Sequence, residues 1–428
     1  MTKSMRIVSI TVWADGFQMK VDMIAGVWQR GRGLILYVAV LVAAMGAALP
    51  SPAVASPERD FAAGLSASER RTFETYISAR RFYNLTLDEF WDEVSEKRAA
   101  RRKKRAADQA ITAKDYAKGF PPDYTGPKLS ADLAKRWAKF QDAQAEKKPP
   151  RDPLPGVEDF LAHAREQFGF VPERIAEREF KRRYAREALR VGLTKEQVVR
   201  VYALETSGLG TADMVAGIHP ITKKGSPIST AIGYAQLLSA NSTSELVKHG
   251  PGFIARLKQM AESARTDDVR KKYQRKAQIL TRMLAVSKSV PNEWSRHQAL
   301  GRTAKGYGIH AINIDGDIGP WLQVLKLLGL KELADKKGKP RLTGAEIELM
   351  NLAGPATGLE MMTPAGRAAT TPNFFERGAY GRNTIVRGKT GAELLKALDE
   401  RMDTNVKNDG AVLFAQVFDE VAAEMAGR

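Results

Sequence analysis

Leu193-Thr194-Lys195-Glu196-Gln197-Val198-Val199-Arg200-Val201-Tyr202-Ala203-Leu204-Glu205-Thr206-Ser207-Gly208 marks both ends of a short helix in its own residues. Thr194, followed three positions later by Gln197, is a capping-box pair in which each side chain satisfies the other residue's backbone N–H. Gly208 and Gly210 end the helix. Val198, Val201 and Tyr202 precede Glu205 by seven, four and three positions, so helical spacing places all four on one face. That face is expected to be buried. Burial disfavours a charged carboxylate, and so does the partial negative charge of a helix C-terminus, so Glu205 is expected to titrate high. A glutamate kept protonated near neutral pH is what a general acid requires. The same spacing also fits a structural glutamate, turned to the rim or paired with Arg186 or Arg190.

A second informative stretch, Ser229-Thr230-Ala231-Ile232-Gly233-Tyr234-Ala235-Gln236-Leu237-Leu238, is read as opening another helix with Ser229 as its N-cap. Gly233 would cost such a helix about 1 kcal/mol relative to alanine, and its missing side chain would let a substrate or another backbone come close. Gln236, one turn later, would present its amide on the same side. Between the two stretches, Lys223-Lys224-Gly225 and the glycine near Met214–Gly217 mark residues 219–226 as a mobile loop beside the cleft.

Outward from there, almost everything reads as helix, and alternating strand patterns are nearly missing. The fold class is therefore all-α. Expected helices cover 66–108 (one or two), 157–168, 172–190, 195–206, 229–248, 252–264, 267–288, 291–304, 319–329, 344–364, 390–402 and 408–426. Residues 117–128 read as a loop. Four prolines within residues 147–155 mark a linker and a domain boundary. The basic run Lys97–Arg105 holds seven Lys/Arg in nine positions after an acidic stretch. It reads as a solvated helix paired at i, i+4, with contact to an anionic polymer as the alternative.

The chain of 428 residues has no cysteine and five histidines, and carries a formal net charge of +18. Disulfides, thiolate metal sites and a cysteine nucleophile are excluded, and a histidine-rich metal centre is not expected. No cofactor and no metal are expected. The positive balance points to a polyanionic partner. Its identity depends on the address. Arg30 and Arg32 precede the apolar run Leu34 to Leu49, which is followed by Pro50, Pro52 and Ala53-Val54-Ala55. This is the order of a secretory signal, with cleavage expected after Ala55 and a mature chain starting at Ser56. Sixteen apolar residues fall short of the roughly 20 that span a bilayer, so no stable membrane span is expected after cleavage. Met19 or Met23 would give such a signal an ordinary n-region. Export makes the protein periplasmic or secreted, and makes nucleic acid a poor partner.

Glu205-Thr206-Ser207-Gly208, followed by Gly233-Tyr234-Ala235-Gln236-Leu237-Leu238, resembles the two signature motifs of soluble lytic transglycosylases. Those enzymes carry Glu-Ser near the end of one helix and Gly-Leu-Met-Gln at the next, in a lysozyme-like all-α domain, and cleave the MurNAc–GlcNAc bond of peptidoglycan. The resemblance implies Glu205 as the catalytic acid/base. It implies Ser207, Gly233, Tyr234 and Gln236 as substrate contacts, and Tyr307 and Tyr380 as stand-ins for the tyrosine of the family's late Tyr-Asn-Ala-Gly motif, which is not found as such. The chain departs from the pattern at Thr206, which replaces the serine after the glutamate, and in the 28-residue spacing from Glu205 to Gly233.

The chemistry implied by the resemblance needs one acid and no water. Glu205 protonates the glycosidic oxygen while the substrate's 2-acetamido group assists. It then takes a proton from the sugar's C6 hydroxyl as a 1,6-anhydro ring closes. Asp213 is the only other acidic residue between the motifs. It reads as a loop residue, although as a second carboxylate it would suit a water-using lysozyme. Asn313-Ile314-Asp315-Gly316-Asp317-Ile318 lacks the glycine and glutamate of a calcium loop and reads as a turn starting a helix, with Asp317 as a local cap. The aromatics and arginines of 373–382 read as a loop packed on the body, with sugar stacking as the alternative.

The expected organisation is a cleaved signal region (1–55), an N-terminal helical segment with a basic run and linker (56–150), a lysozyme-like domain (151–365) and a C-terminal helical extension (366–428). The expected partner is the glycan strands of peptidoglycan, with a cell-envelope protein complex as a further candidate. A non-catalytic wall-binding or scaffolding protein of the same fold is the second reading. A basic exported protein that binds polymer through Lys97–Arg105 alone is the third.

Overall fold

A computed structural model describes the backbone of residues 5–14 and 17–26, and residues 56–145 and 153–427 in full. The signal-like run Leu34 to Leu49, the Ala53-Val54-Ala55 site and most of the proline-rich linker lie outside the described residues. The chain divides into two units, Met1–Leu65 and Ser66–Arg428. The first holds an antiparallel hairpin, β1 (Met5–Ala14) and β2 (Phe17–Gly26), paired from Met5↔Gly26 to Ala14↔Phe17, and a short helix α1 (Pro57–Ala63). From Ser56 onward the described residues form helices and no strand, in agreement with the all-α expectation. Met19 and Met23 both fall within β2.

The second unit is helical. Its elements are α2 (Ala67–Ala106), α3 (Ala131–Ala145), α4 (Val157–Phe168), α5 (Glu177–Arg190), α6 (Lys195–Glu205), α7 (Ser239–Glu262), α8 (Asp267–Ser287), α9 (Trp294–Gly301) and α10 (Ala304–His310). They are followed by α11 (Ile318–Lys336), α12 (Gly344–Ala353), α13 (Pro355–Met361), α14 (Pro364–Ala368), α15 (Arg377–Arg382), α16 (Gly391–Asn405) and α17 (Asp409–Ala426). No described helix is long and apolar enough to cross a membrane.

Local signals set most ends. The capping box of α6 forms as the sequence indicates: Thr194 N donates to Gln197 Oε1 at 3.0 Å, and Gln197 N to Thr194 Oγ1 at 3.2 Å. Three expected helices outside the second motif differ for identifiable reasons. Residues 172–176 stay non-helical because Glu173 is fastened to a distant turn, its N–H on Asp315 Oδ2 and its carbonyl on Gly316 N, both at 2.8 Å. The helix expected to break near 250 runs through Pro251 as a single α7. The residue before a proline normally resists helix because of its side chain, and here that residue is Gly250, which also lets α7 approach Leu284 of α8. The 344–364 helix is divided at Gly354, whose φ of +87° leaves the helical region before Pro355 starts α13.

The basic run is mostly consumed inside the protein. Arg101, 1% exposed, donates to Glu360 Oε1 at 2.7 Å, to Asn373 O at 2.5 Å and to Asp115 O at 3.0 Å. Arg105 also reaches Glu360, Arg98 reaches Glu376 at 3.8 Å, and only Lys97–Glu93 is an i, i+4 pair. Asn373 closes the junction with two bonds to the Ala117 backbone, at 2.8 and 2.9 Å. Neither a solvated helix nor a free polymer-binding stripe describes this face of α2. The 373–382 segment packs on the body as expected, with Phe374 and Phe375 buried.

Breaking a buried ion pair by removing one partner costs about 3–5 kcal/mol when the other is left unpaired. Arg101→Met leaves Glu360 with Arg105 and is expected to lower stability by up to that amount, and Arg101→Met with Glu360→Leu to recover part of it. Urea unfolding of the three proteins checks this; equal losses in the single and double variants would show that the pair is not what anchors α2.

Candidate functional site

Glu205 stands at the last position of α6, half-buried with 17% of its side chain exposed. The end of α6 is closed by the turn between α16 and α17. Asn405 Nδ2 donates to Ala203 O at 3.0 Å, Asn408 Nδ2 to Ser207 O at 2.8 Å, and Ala411 N to Gly208 O at 2.9 Å. A Cβ on Gly208 would lie 2.2 Å from Asn405 O, so glycine is needed there for this close approach as well as for its φ of +66°. Thr206 is fully buried, its hydroxyl returned to Tyr202 O at 2.7 Å.

Neither arginine considered for Glu205 reaches it: Arg186 pairs with Glu424 and Arg190 with Glu187. Its partners come from later in the chain. Asn351 Nδ2 on α12 donates to Glu205 Oε1 at 2.8 Å, and Lys326 Nζ on α11 approaches the same oxygen at 3.3 Å. Lys326 also donates to Ala235 O at 2.5 Å, which ties the carboxylate to the loop of the second motif. The same Asn351 amide reaches Glu348 Oε1 at 3.1 Å, so one side chain bridges two carboxyl groups.

Glu348 is buried, and its Oε2 has no hydrogen-bond partner among the described residues. Burial, and then the charge of Glu205, push its carboxyl well above the usual carboxylate range. These surroundings favour the neutral form of the Glu348 carboxyl.

The second motif is not a helix start. Ile232 and Leu237 exchange backbone hydrogen bonds at 3.0 and 3.1 Å, and Gly233–Gln236 turn between them. Gly233 and Gln236 have φ of +78° and +44°, which no helix accommodates. The helix begins later, at Ser239, and Ser229 Oγ accepts from Ala231 N at 3.2 Å instead of capping it. Gln323 on α11 holds the turn by accepting from Tyr234 N at 2.8 Å, and a Cβ on Gly233 would lie 2.4 Å from Gln323 Nε2. His310 Nε2, 2.7 Å from Thr230 O, donates to it, so Nδ1 is the acceptor facing Ser242 and Asn313. Burial pushes His310 down to about 4, which keeps it neutral in this role.

The expected substrate contacts are therefore dispersed. Gln236 Nε2 is turned inward to Gly233 O at 2.8 Å. Tyr234 is 1% exposed, donating its hydroxyl to Glu177 of α5, so it belongs to the core and not to a glycan surface. Ser207 is exposed with φ +54°. Tyr307 lies against His163 and Phe160, lining a cavity of ≈ 490 Å³ with Ser229 and Leu238. Tyr380 packs on Trp91 of α2, 5.5 Å between ring centroids, and its hydroxyl accepts from Gly388 N at 3.1 Å. Neither tyrosine is among the hydrogen-bonding or ionic partners of Glu205.

Comparison with known proteins finds no matching family model, no matching curated protein and no matching solved structure. The site must be read from its own geometry. Asp213 is a loop residue, bound to Thr211 at 2.6 Å and to Arg174 at 2.5 Å. Residues 219–226, expected to be mobile, are internally bonded, His219 N donating to Lys224 O and Lys223 N to His219 O, each at 2.9 Å. The 313–318 turn is filled by protein cations. Lys276 Nζ lies 2.9 Å from Asp315 and 2.5 Å from Asp317, and Asp315 rather than Asp317 caps α11 through the N–H groups of Asp317 and Ile318. No group of three or more metal-ligating side chains stands together among the described residues.

Asn351 carried no signal by itself, since a lone asparagine between Met350 and Leu352 on a helix has many uses. Glu348 carried no signal, since a glutamate on an apolar helix face declares nothing until its surroundings are known.

Glu348 gives a pH-dependent prediction. Its folded pKa is raised, so the stability it contributes is fully present below its unfolded value near 4.5 and is lost as pH rises through the folded value. Glu348→Gln removes that loss. Its Tm is expected to match the wild type near pH 4 and to exceed it by a growing margin, reaching a few degrees, as pH increases. A margin that shrinks with rising pH would show that Glu348 is ionised in the folded protein.

Proposed function

We propose that the protein is a peptidoglycan lytic transglycosylase that uses Glu205 as its single acid/base. The observation that carries this reading is the convergence on Glu205 Oε1 of Asn351 Nδ2 from α12 and of Lys326, which also grips the second-motif turn at Ala235. Three segments far apart in the chain thus meet at one partly exposed carboxyl. The fine assignment of a lysozyme-like fold belongs to the same proposal.

In this reading Glu205 protonates the oxygen of the MurNAc–GlcNAc bond and takes a proton back from the C6 hydroxyl as the 1,6-anhydro ring closes. Asn351 fixes the carboxyl's orientation, which leaves the other oxygen toward the substrate. The one-acid scheme is supported by the neighbours. Glu348 is buried in surroundings that favour its neutral form, so it offers neither a nucleophile nor a base, and Asp213 is engaged by Arg174. Export to the periplasm and glycan strands as partner, with an envelope protein complex as context, complete the proposal; no cofactor enters it.

Lys326 favours a second reading. The Lys326 ammonium 3.3 Å from Glu205 gives the carboxyl a structural ion-pair partner within the protein. Gly233, Tyr234 and Gln236 are also spent on internal packing. A wall-binding protein that keeps this arrangement without turnover follows from those facts.

Glu205→Gln keeps size and hydrogen bonding and removes the transferable proton, so cleavage of purified cell walls is expected to fall by about 10²–10⁴-fold with Tm preserved. Mass spectrometry of the wild-type digest is expected to show anhydro ends. Hydrated ends would make it a lysozyme-type hydrolase, and wall binding without released fragments would establish the second reading.

A further inference from the structure

The end of α2, the end of α11 and α13 enclose a cavity of ≈ 690 Å³ that the Glu205 chemistry does not use. Its size is within the range of sites that take a small organic molecule. Its walls combine two chemistries. Ile111, Leu333 and Met362 supply an apolar lining, while Arg102, Arg105, Lys337 and Lys339 bring cations to the same space.

The acids present do not balance those cations. Glu360 is shared between Arg105 and the buried Arg101. Asp108 holds Lys337 at 3.3 Å, but both side chains are more than half exposed, so the pair is weak. Lys339 is met by Glu346 at 3.0 Å. Arg102 makes no hydrogen bond or ion pair among the described residues. Burial, and then the charge of Arg101, push the Arg105 guanidinium below its ordinary range, and an added anion would offset that repulsion.

We propose that this cavity binds a single-chain amphiphile with an acidic head, its alkyl body against Leu333 and Met362 and its carboxylate or phosphate on Arg102 and Arg105. Arginine suits such a head because its planar fork engages two oxygens at once. Neither an apolar molecule nor a bare anion uses both walls. The site explains why a helix that gives up most of its basic run to internal partners leaves Arg102 unpaired at the mouth of an apolar hollow.

The full chain is titrated calorimetrically with decyl phosphate below its critical micelle concentration, with inorganic phosphate, and with decyltrimethylammonium. One molecule of decyl phosphate per chain is expected to bind, at least about a hundredfold more tightly than inorganic phosphate, with no binding of the cationic amphiphile. Arg102→Glu, at an exposed and unpaired position, is expected to weaken decyl phosphate by at least about tenfold with an unchanged Tm. Leu333→Gln is expected to do the same from the apolar side. No saturable binding, equal binding of the cationic amphiphile, or an unchanged Kd in a folded Arg102→Glu protein overturns the proposal. Sedimentation with phosphatidylglycerol vesicles alone, without binding of monomeric decyl phosphate, also overturns it, since surface charge then suffices.

Discussion

A buried lysine organises the centre of the helical unit. Lys181 on α5 is 1% exposed, and its ammonium sits 4.8–5.9 Å from the rings of Tyr202, Tyr234 and Phe414. Those rings come from α6, the second-motif turn and α17. Glu177, one turn earlier, accepts from Lys181 at 2.7 Å, from Tyr234, and from Ala212 N at 3.1 Å. Burial pulls the Lys181 pKa down while Glu177 raises it. A cation in this position is tolerable only while every element that faces it stays in place. The helix that ends in Glu205 and the turn that carries Ala235 are two of those elements.

From that hub the candidate site is assembled by reach and not by sequence neighbourhood. Glu205, Lys326, Glu348 and Asn351 span α6, α11 and α12, and Gln323, one turn before Lys326, props the Gly233 turn from below. The C-terminal helices contribute no side chain to Glu205, yet Asn405 and Asn408 fasten the backbone on either side of it. The aromatic Phe414 belongs to the core around Tyr234 and not to an appended surface.

The charge of α2 is arranged by the same logic. Arg101 and Arg105 converge on Glu360, and Asn373 fastens the chain at Ala117, so a helix with many basic residues is bound to the body by buried pairs. Arg102, which takes no part in those pairs, faces a cavity with an apolar wall.

What the sequence determined alone was local. The Thr194–Gln197 capping box, the apolar face of α6, the end of that helix at Gly208, and the spans of α4, α8 and α17 follow from bonds within a few residues, so they are legible to within a position or two. The place of Glu205 was legible too, as a carboxyl in the last turn of α6. Tertiary structure decided what that carboxyl meets. Gly233 reads as an imperfect helix residue until Gln323 occupies the space where its side chain would be. Tyr234, expected as a substrate contact, is instead enclosed by Glu177 and Lys181. Asn351 and Glu348 lie 146 and 143 positions beyond Glu205, and their ordering and their protonation depend on burial and distance, quantities that do not exist before the helices pack.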